Sequence, residues 1–329
     1  TVDATGEPTA LLRAFARPFR LDRPPLIRAA LASGPGHDVL LVDAHHIAFD
    51  GAALDVFHAE LAAHLDGSPL PRATPYSALA RAHAARDTAG DLTYWRKEFA
   101  EPPEPVALGL SADGGPTRLG VAVRHIPEGV RDALAVLGAR ERATPFALYT
   151  AALAVLLQKY TMLEDLVIGT PVDNRAIGDF PGLVGMGVNT VALRVRPADT
   201  ATVRELLREV RDTALAAFEH QALPFDELLT ALAADGHPAP RDLVRVLLAY
   251  RDARREHAGT TVIGPISLEP KFDLELTVTA LPDGDVLGLE YATGALDADA
   301  AALMADHLVE ILTAFPNAAD APIAELGLT

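Results

Sequence analysis

The chain has 329 residues, 50% hydrophobic and 5% aromatic, the composition of a soluble globular protein with a sizeable core and room for two domains or one large one. Lys and Arg number 28 against 45 Asp and Glu, and a formal charge of −17 repels nucleic acid and anionic membrane surfaces, so neither is an expected partner. The absence of cysteine excludes disulfides, thiolate metal sites and a cysteine nucleophile; with no signal peptide and no apolar run of bilayer length, the expected location is cytoplasmic.

Leu26–Leu31 is a short apolar stretch before the turn Gly34-Pro35-Gly36, and Val39–Val42 is a compact apolar run that reads as a buried strand. Beyond the polar cluster His45–Gly51, Leu54, Phe57, Leu61 and Leu65 recur at spacings of three and four, which predicts an amphipathic helix. His45–Gly51 is therefore a strand-to-helix connection, a position where α/β proteins place chemistry. Tyr76–Phe99 reads as mostly helical. Pro102, Pro103, Pro105 and Pro116 with Gly109, Gly114 and Gly115 mark 101–116 as an interdomain linker. Val121–Val123 predicts a strand and Val130–Leu137 a short helix. Thr144 and Pro145 supply an N-cap and a first helical position for a helix to about Tyr160, apolar on nearly all sides and so deeply buried. Leu166–Ile168 predicts a short strand ending in Gly169-Thr170-Pro171, and Val188–Val195 another. Thr202 and Glu205 have capping-box spacing ahead of Val203, Leu206, Leu207, Val210 and Ala214. Val244–Leu248, Leu274–Val278 and Val286–Tyr291 predict later strands, and Ala300–Phe315 a last helix. Strands and helices interleave throughout, so the fold class is α/β.

The segment that carries chemistry is His45-His46-Ile47-Ala48-Phe49-Asp50-Gly51. On an extended backbone the two imidazoles point to opposite sides, so only one faces a cleft. An imidazole relays or accepts a proton near neutral pH. Asp50 is close enough to fix the loop by an ion pair or by accepting from backbone amides, and Gly51 lets a ligand approach without a Cβ in the way. A His-His pair alone also fits an ordinary structural loop. Asp43, His45, His46 and Asp50 offer metal-ligand atoms, but no familiar ligand spacing is present, so no metal is expected.

The segment matches the HHxxxDG motif and resembles that of nonribosomal peptide synthetase condensation domains. Further stretches resemble the family in the same order: Pro18-Phe19-Arg20-Leu21 with Pro25-Leu26-Ile27-Arg28, Tyr94-Trp95-Arg96, Ile168–Arg175, Gly187-Val188-Asn189-Thr190, His220–Asp226 and Lys271-Phe272-Asp273-Leu274. The resemblance implies two chloramphenicol-acetyltransferase-like lobes, each a mixed β-sheet with helices, with a tunnel between them. The lobes are expected at 1–100 and 117–329, joined by 101–116. It implies an acyltransferase that forms an amide bond between a carrier-bound donor thioester and the amine of a carrier-bound acceptor.

Carried over by position, His46 is the expected catalytic residue and His45 its structural neighbour. Asp50 pairs with Arg175, the Gly51 N–H faces the reacting carbonyl, and Asn189 and Ala52 line the tunnel. Whether His46 acts as base or by positioning stays open. No cofactor is expected on the chain itself; phosphopantetheine arms arrive on donor and acceptor carrier domains, the expected partners, for which Arg251, Arg254 and Arg255 offer a local basic spot. The family's opening segments are absent before Thr1, so the missing part of the first lobe is a further expected partner, in cis or in trans, and apolar surface is expected on that lobe without it. Ala52-Ala53 replace the family's Trp-Ser, which implies room for a bulkier donor. An epimerisation domain, a related HxxxD acyltransferase and a non-catalytic recruitment platform are the alternatives; the platform needs no histidine in the cleft.

Overall fold

A computed structural model describes residues 2–3, 11, 14–33, 38–110, 117–127, 129–178, 180, 182–253 and 269–328. The expected turn at Gly34–Gly36, the end of the expected linker at 111–116, and Arg254 and Arg255 lie outside the described residues. The chain forms two compact units: the first contains the described residues up to Arg86 together with those of Asp173–Val188, and the second contains the described residues of Asp87–Val172 and from Asn189 onward.

This grouping differs from the expected boundary at 101–116. Trp95 and Phe99 are 3% and 2% exposed in a core shared with Val106 and Leu108, so residues 95–108 are packed into the second unit. Burying a large apolar side chain contributes about 1.5–3 kcal/mol, enough to anchor a Pro-rich stretch that local turn chemistry alone reads as a linker.

The first unit carries a mixed three-stranded sheet in the order β1 (Val2–Asp3), β2 (Ile27–Ser33), β3 (Asp38–Ala44). β1 runs parallel to β2, and β2 pairs antiparallel with β3 from Ile27 opposite Ala44 to Ser33 opposite Asp38. Alternation puts Ala32 and Leu41 on a buried face, and Ile27, Leu31 and Leu40 on the other, where they remain 40%, 51% and 43% exposed. β3 leads through a short 3₁₀ turn, His46–Ala48, into α1 (Gly51–Leu65), and α2 (Tyr76–Ala84) follows.

In the second unit, α3 (Ala89–Glu98) precedes a mixed six-stranded sheet of β4 (Leu119–His125), β5 (Leu166–Asp173), β6 (Val188–Val195), β7 (Val246–Asp252), β8 (Leu274–Leu281) and β9 (Gly284–Ala292), in the spatial order β4-β9-β8-β7-β5-β6. β5 runs past the expected end at Gly169-Thr170-Pro171 and reaches Asp173, the first residue of the insertion that belongs to the other unit. The helix expected from Thr144 is α5 (Pro145–Thr161), after α4 (Val130–Glu141); the Thr144 side chain accepts from the Ala147 N–H, and every residue from Ala147 to Gln158 is buried. The Thr202–Glu205 capping box opens α6 (Val203–Glu219), followed by α7 (Phe225–Ala234) and α8 (Ala298–Ala314). Among the described residues no helix is long and apolar enough to cross a membrane.

Candidate active site

β3 delivers His45 with an extended backbone (φ −69°, ψ 134°), anchored by its N–H to the Leu26 carbonyl at 2.9 Å. The His45 Nδ1 accepts the Ile47 N–H at 3.1 Å and so caps the 3₁₀ turn. This assigns the His45 hydrogen to Nε2. His46 lies inside the turn, so the pair does not sit on one extended segment as expected; capping, not strand alternation, separates the two rings. The His46 ring is exposed, with Nδ1 3.0 Å from the Phe49 carbonyl oxygen. A carbonyl only accepts, so Nδ1 carries a hydrogen, and in the neutral ring the lone pair is then on Nε2.

Asp50 caps α1 by accepting the Ala53 N–H at Oδ1, 2.8 Å. The same carboxylate takes a bidentate pair from Arg175, Nη2 to Oδ1 at 2.8 Å and Nη1 to Oδ2 at 2.9 Å, and the Gly187 N–H at 2.7 Å. It fixes the loop in both of the ways the sequence allowed. The two side chains are 0% and 2% exposed. Burial by itself pushes the Asp50 carboxyl up, but the Arg175 hydrogen bonds, the Ala53 and Gly187 amides and the guanidinium charge outweigh it and hold the carboxyl below its ordinary value.

Arg175 spends all five N–H groups: besides Asp50, Nε donates to the Leu183 carbonyl, Nη1 to Asp173 and Nη2 to the Gly185 carbonyl. A Cβ on Gly187 would lie 2.6 Å from Nη1, so only glycine admits the guanidinium here. Tyr76 fastens the same loop from α2, its hydroxyl donating to the Met186 carbonyl at 2.9 Å.

Gly51 is the first residue of α1, where the helical hydrogen-bonding pattern leaves the N–H open, and a Cβ there would meet nothing within 4 Å. Packing therefore does not demand glycine. Gly51→Ala is expected to hold or raise stability by about 0.4–1 kcal/mol, read by denaturant unfolding, while its methyl narrows the open approach to that N–H. Of the Ala52-Ala53 pair, Ala52 is half-buried and Ala53 fully buried.

The half-buried Asn189 side chain is bonded within the second unit. Its Nδ2 donates to the Gln221 and Leu223 carbonyls, both at 2.8 Å, and its Oδ1 accepts the Phe225 N–H at 3.0 Å, bracing β6 against the start of α7. Asn189→Ala should cost about 1–3 kcal/mol by leaving three backbone groups without this partner, measured by thermal unfolding. Asp43 is ion-paired with Arg28, and among the described residues no group of three His, Cys, Asp or Glu is placed to hold a metal.

Sequence reasoning missed Asp173, Tyr76 and the Leu183, Gly185 and Gly187 backbone groups as parts of this constellation. The glycine of Gly187-Val188-Asn189-Thr190 was the available signal for a close approach; the carbonyl acceptors have none.

A strand-to-helix turn that presents an exposed imidazole beside a buried Asp–Arg pair matches the class outlined by the motif. The chain belongs to the condensation domain family, whose model matches residues 2–329. It is 32% identical to bacitracin synthase 3 of Bacillus licheniformis over 96% of its own length and 5% of that protein. It is 34% identical to phosphinothricin tripeptide synthetase PhsB of Streptomyces viridochromogenes over 98% of its length and 29% of that protein. The chain thus spans a small part of the curated relatives it matches.

Among solved structures, the X-domain from teicoplanin biosynthesis superposes with a TM-score of 0.81 at 25% identity, covering 100% of this chain and 80% of that one; it is also known in complex with OxyB, where the TM-score is 0.79 at 25% identity over 98% and 77% of the two chains. The first condensation domain of the calcium-dependent antibiotic synthetase shares the fold, with a TM-score of 0.77 at 22% identity over 99% and 76% of the two chains.

Proposed function

We propose that this chain catalyses amide-bond formation between a donor acyl or peptidyl thioester and the amine of an acceptor aminoacyl group, each delivered on the phosphopantetheine arm of a carrier domain. The observation that carries this reading is the His46 ring, exposed and held with Nδ1 toward the Phe49 carbonyl, which in the neutral ring places the lone pair on Nε2. The acceptor nitrogen attacks the thioester carbonyl, forming the C–N bond. Negative charge collects on the carbonyl oxygen, within reach of an open N–H such as that of Gly51. The proton leaving the amine passes to His46 Nε2 and then to the departing sulfur as the C–S bond breaks. The Asp50–Arg175 pair holds the start of α1 relative to the 183–187 loop and takes no part in proton transfer.

The experiment is incubation of the chain with loaded donor and acceptor carriers, read by the mass of the acceptor-bound product. A product carrying both acyl groups supports the reading, and its absence with the wild type sinks it. Recruitment of a tailoring enzyme is a second reading, favoured by the X-domain likeness because that domain forms a complex with OxyB. Under it, His46→Ala leaves partner capture unchanged and no amide product forms with any variant.

A further inference from the structure

We propose that Phe19, Arg28 and Asp43 are positioning residues that set the His45–His46 turn, an inference that rests on the role proposed for His46. Arg28 on β2 and Asp43 on β3 are register partners across the antiparallel pair. The Arg28 Nε donates to Asp43 Oδ2 at 2.8 Å, and Nη2 donates to the same carboxylate and to the Arg17 carbonyl. The side chains are 18% and 20% exposed, so the pair is shielded more than a surface ion pair.

Held this way, the guanidinium carbon stacks 4.0 Å from the centroid of the Phe19 ring, a cation–π arrangement. The Phe19 ring in turn meets His45 edge-on, with centroids 6.1 Å apart and planes at 88°. His45 is the residue whose Nδ1 caps the turn through the Ile47 N–H.

The contacts therefore run from a cross-strand ion pair, through a stacked ring, to the imidazole that caps the turn containing His46. His46 itself is exposed, and among the described residues its ring is held by a hydrogen bond to Phe49. Phe19 gives His45 a wall on one side, and the Ile47 N–H fixes the tautomer with the hydrogen on Nε2. If that ring turns, the cap opens and the His46 side chain loses its defined direction. Misplacement of a reacting group on the scale of an ångström costs on the order of 100-fold in rate. The pair Arg28–Asp43 matters because it keeps Phe19 in place without itself reaching the reacting atoms.

The test compares Phe19→Leu, Phe19→Tyr and His46→Ala with the wild type by amide-forming kinetics on loaded carriers, thermal unfolding, and ¹⁵N NMR of the imidazole nitrogens. Phe19→Leu should lower kcat about 10- to 100-fold at unchanged KM for both carriers and unchanged Tm. It should also erase the Nδ1–H signature of His46, and Phe19→Tyr, which keeps the ring, should recover both readouts. Wild-type kcat with unaltered imidazole signals in Phe19→Leu overturns the inference. So does a loss of kcat that follows a falling Tm and is not recovered by Phe19→Tyr. Full product from His46→Ala sinks the role proposed for His46 instead, and in that event the ¹⁵N signals still decide whether the clamp sets the turn.

Discussion

His46→Ala should lower amide formation by about 10²- to 10⁴-fold while leaving the fold intact, because the step it loses is one proton transfer. The geometry argues for so clean an effect. The ring is exposed, so its removal leaves no cavity in a packed interior, and among the described residues the hydrogen bond lost is the one to the Phe49 carbonyl. The turn itself stays closed, since the Phe49 N–H donates to the His46 carbonyl at 3.3 Å through main-chain atoms that alanine retains. Residual activity from holding the two arms together is expected, because proximity contributes independently of the base. Single-turnover kinetics on loaded carriers, with thermal unfolding alongside, check the prediction. Equal rates for alanine and wild type would remove His46 from the mechanism. A variant whose Tm collapses would show that the turn is structural and not a presentation device.

Arg175→Met should destabilise the protein by about 3–5 kcal/mol, the usual cost of removing one partner from a buried ion pair. Asp50 would keep its charge in an interior where its side chain is 0% exposed, with only the Ala53 and Gly187 amides left to hold it. The Leu183 and Gly185 carbonyls would lose their donors at the same time. The cost belongs to the unpaired charge, so the double variant Asp50→Asn with Arg175→Met should lose less than the two single changes added together.

The pH dependence separates this account from simple loss of packing. In the wild type the folded Asp50 carboxyl lies below its ordinary value near 3.8, so its stabilising contribution is complete above that value. It fades as the pH falls through the lower folded value, so wild-type stability drops in acid. In Arg175→Met the buried carboxylate has lost its cation, burial pushes it above the ordinary value, and the sign inverts: acidification should relieve part of the penalty. Chemical denaturation across acid pH tests both slopes. Parallel profiles for the two proteins would contradict the electrostatic account.

Local chemistry made much of the fold legible. The Thr144-Pro145 start of α5 and the Thr202–Glu205 capping box of α6 were readable because caps act within one turn of chain. The strand-to-helix connection at His45–Gly51 followed from a change of hydrophobic period on either side. Asp50 could be assigned to loop fixation, but its arginine stands 125 residues away and came only through the family resemblance. The expected linker failed for the opposite reason, since a local Pro and Gly signal was overridden by long-range burial of Trp95, Phe99, Val106 and Leu108.

By itself, the sequence determined that a histidine pair would sit at the end of a strand, that an aspartate would fix the loop after it, and which family this arrangement belongs to. These are consequences of side-chain type and short spacing. Only the tertiary structure decided that Arg175 spends every donor on Asp50 and its surroundings, that Asn189 braces α7, and that Phe19 and Arg28 stand beside His45. Those contacts join residues far apart in the chain, several through backbone carbonyls and amides that every amino acid shares, so no residue type or spacing could announce them.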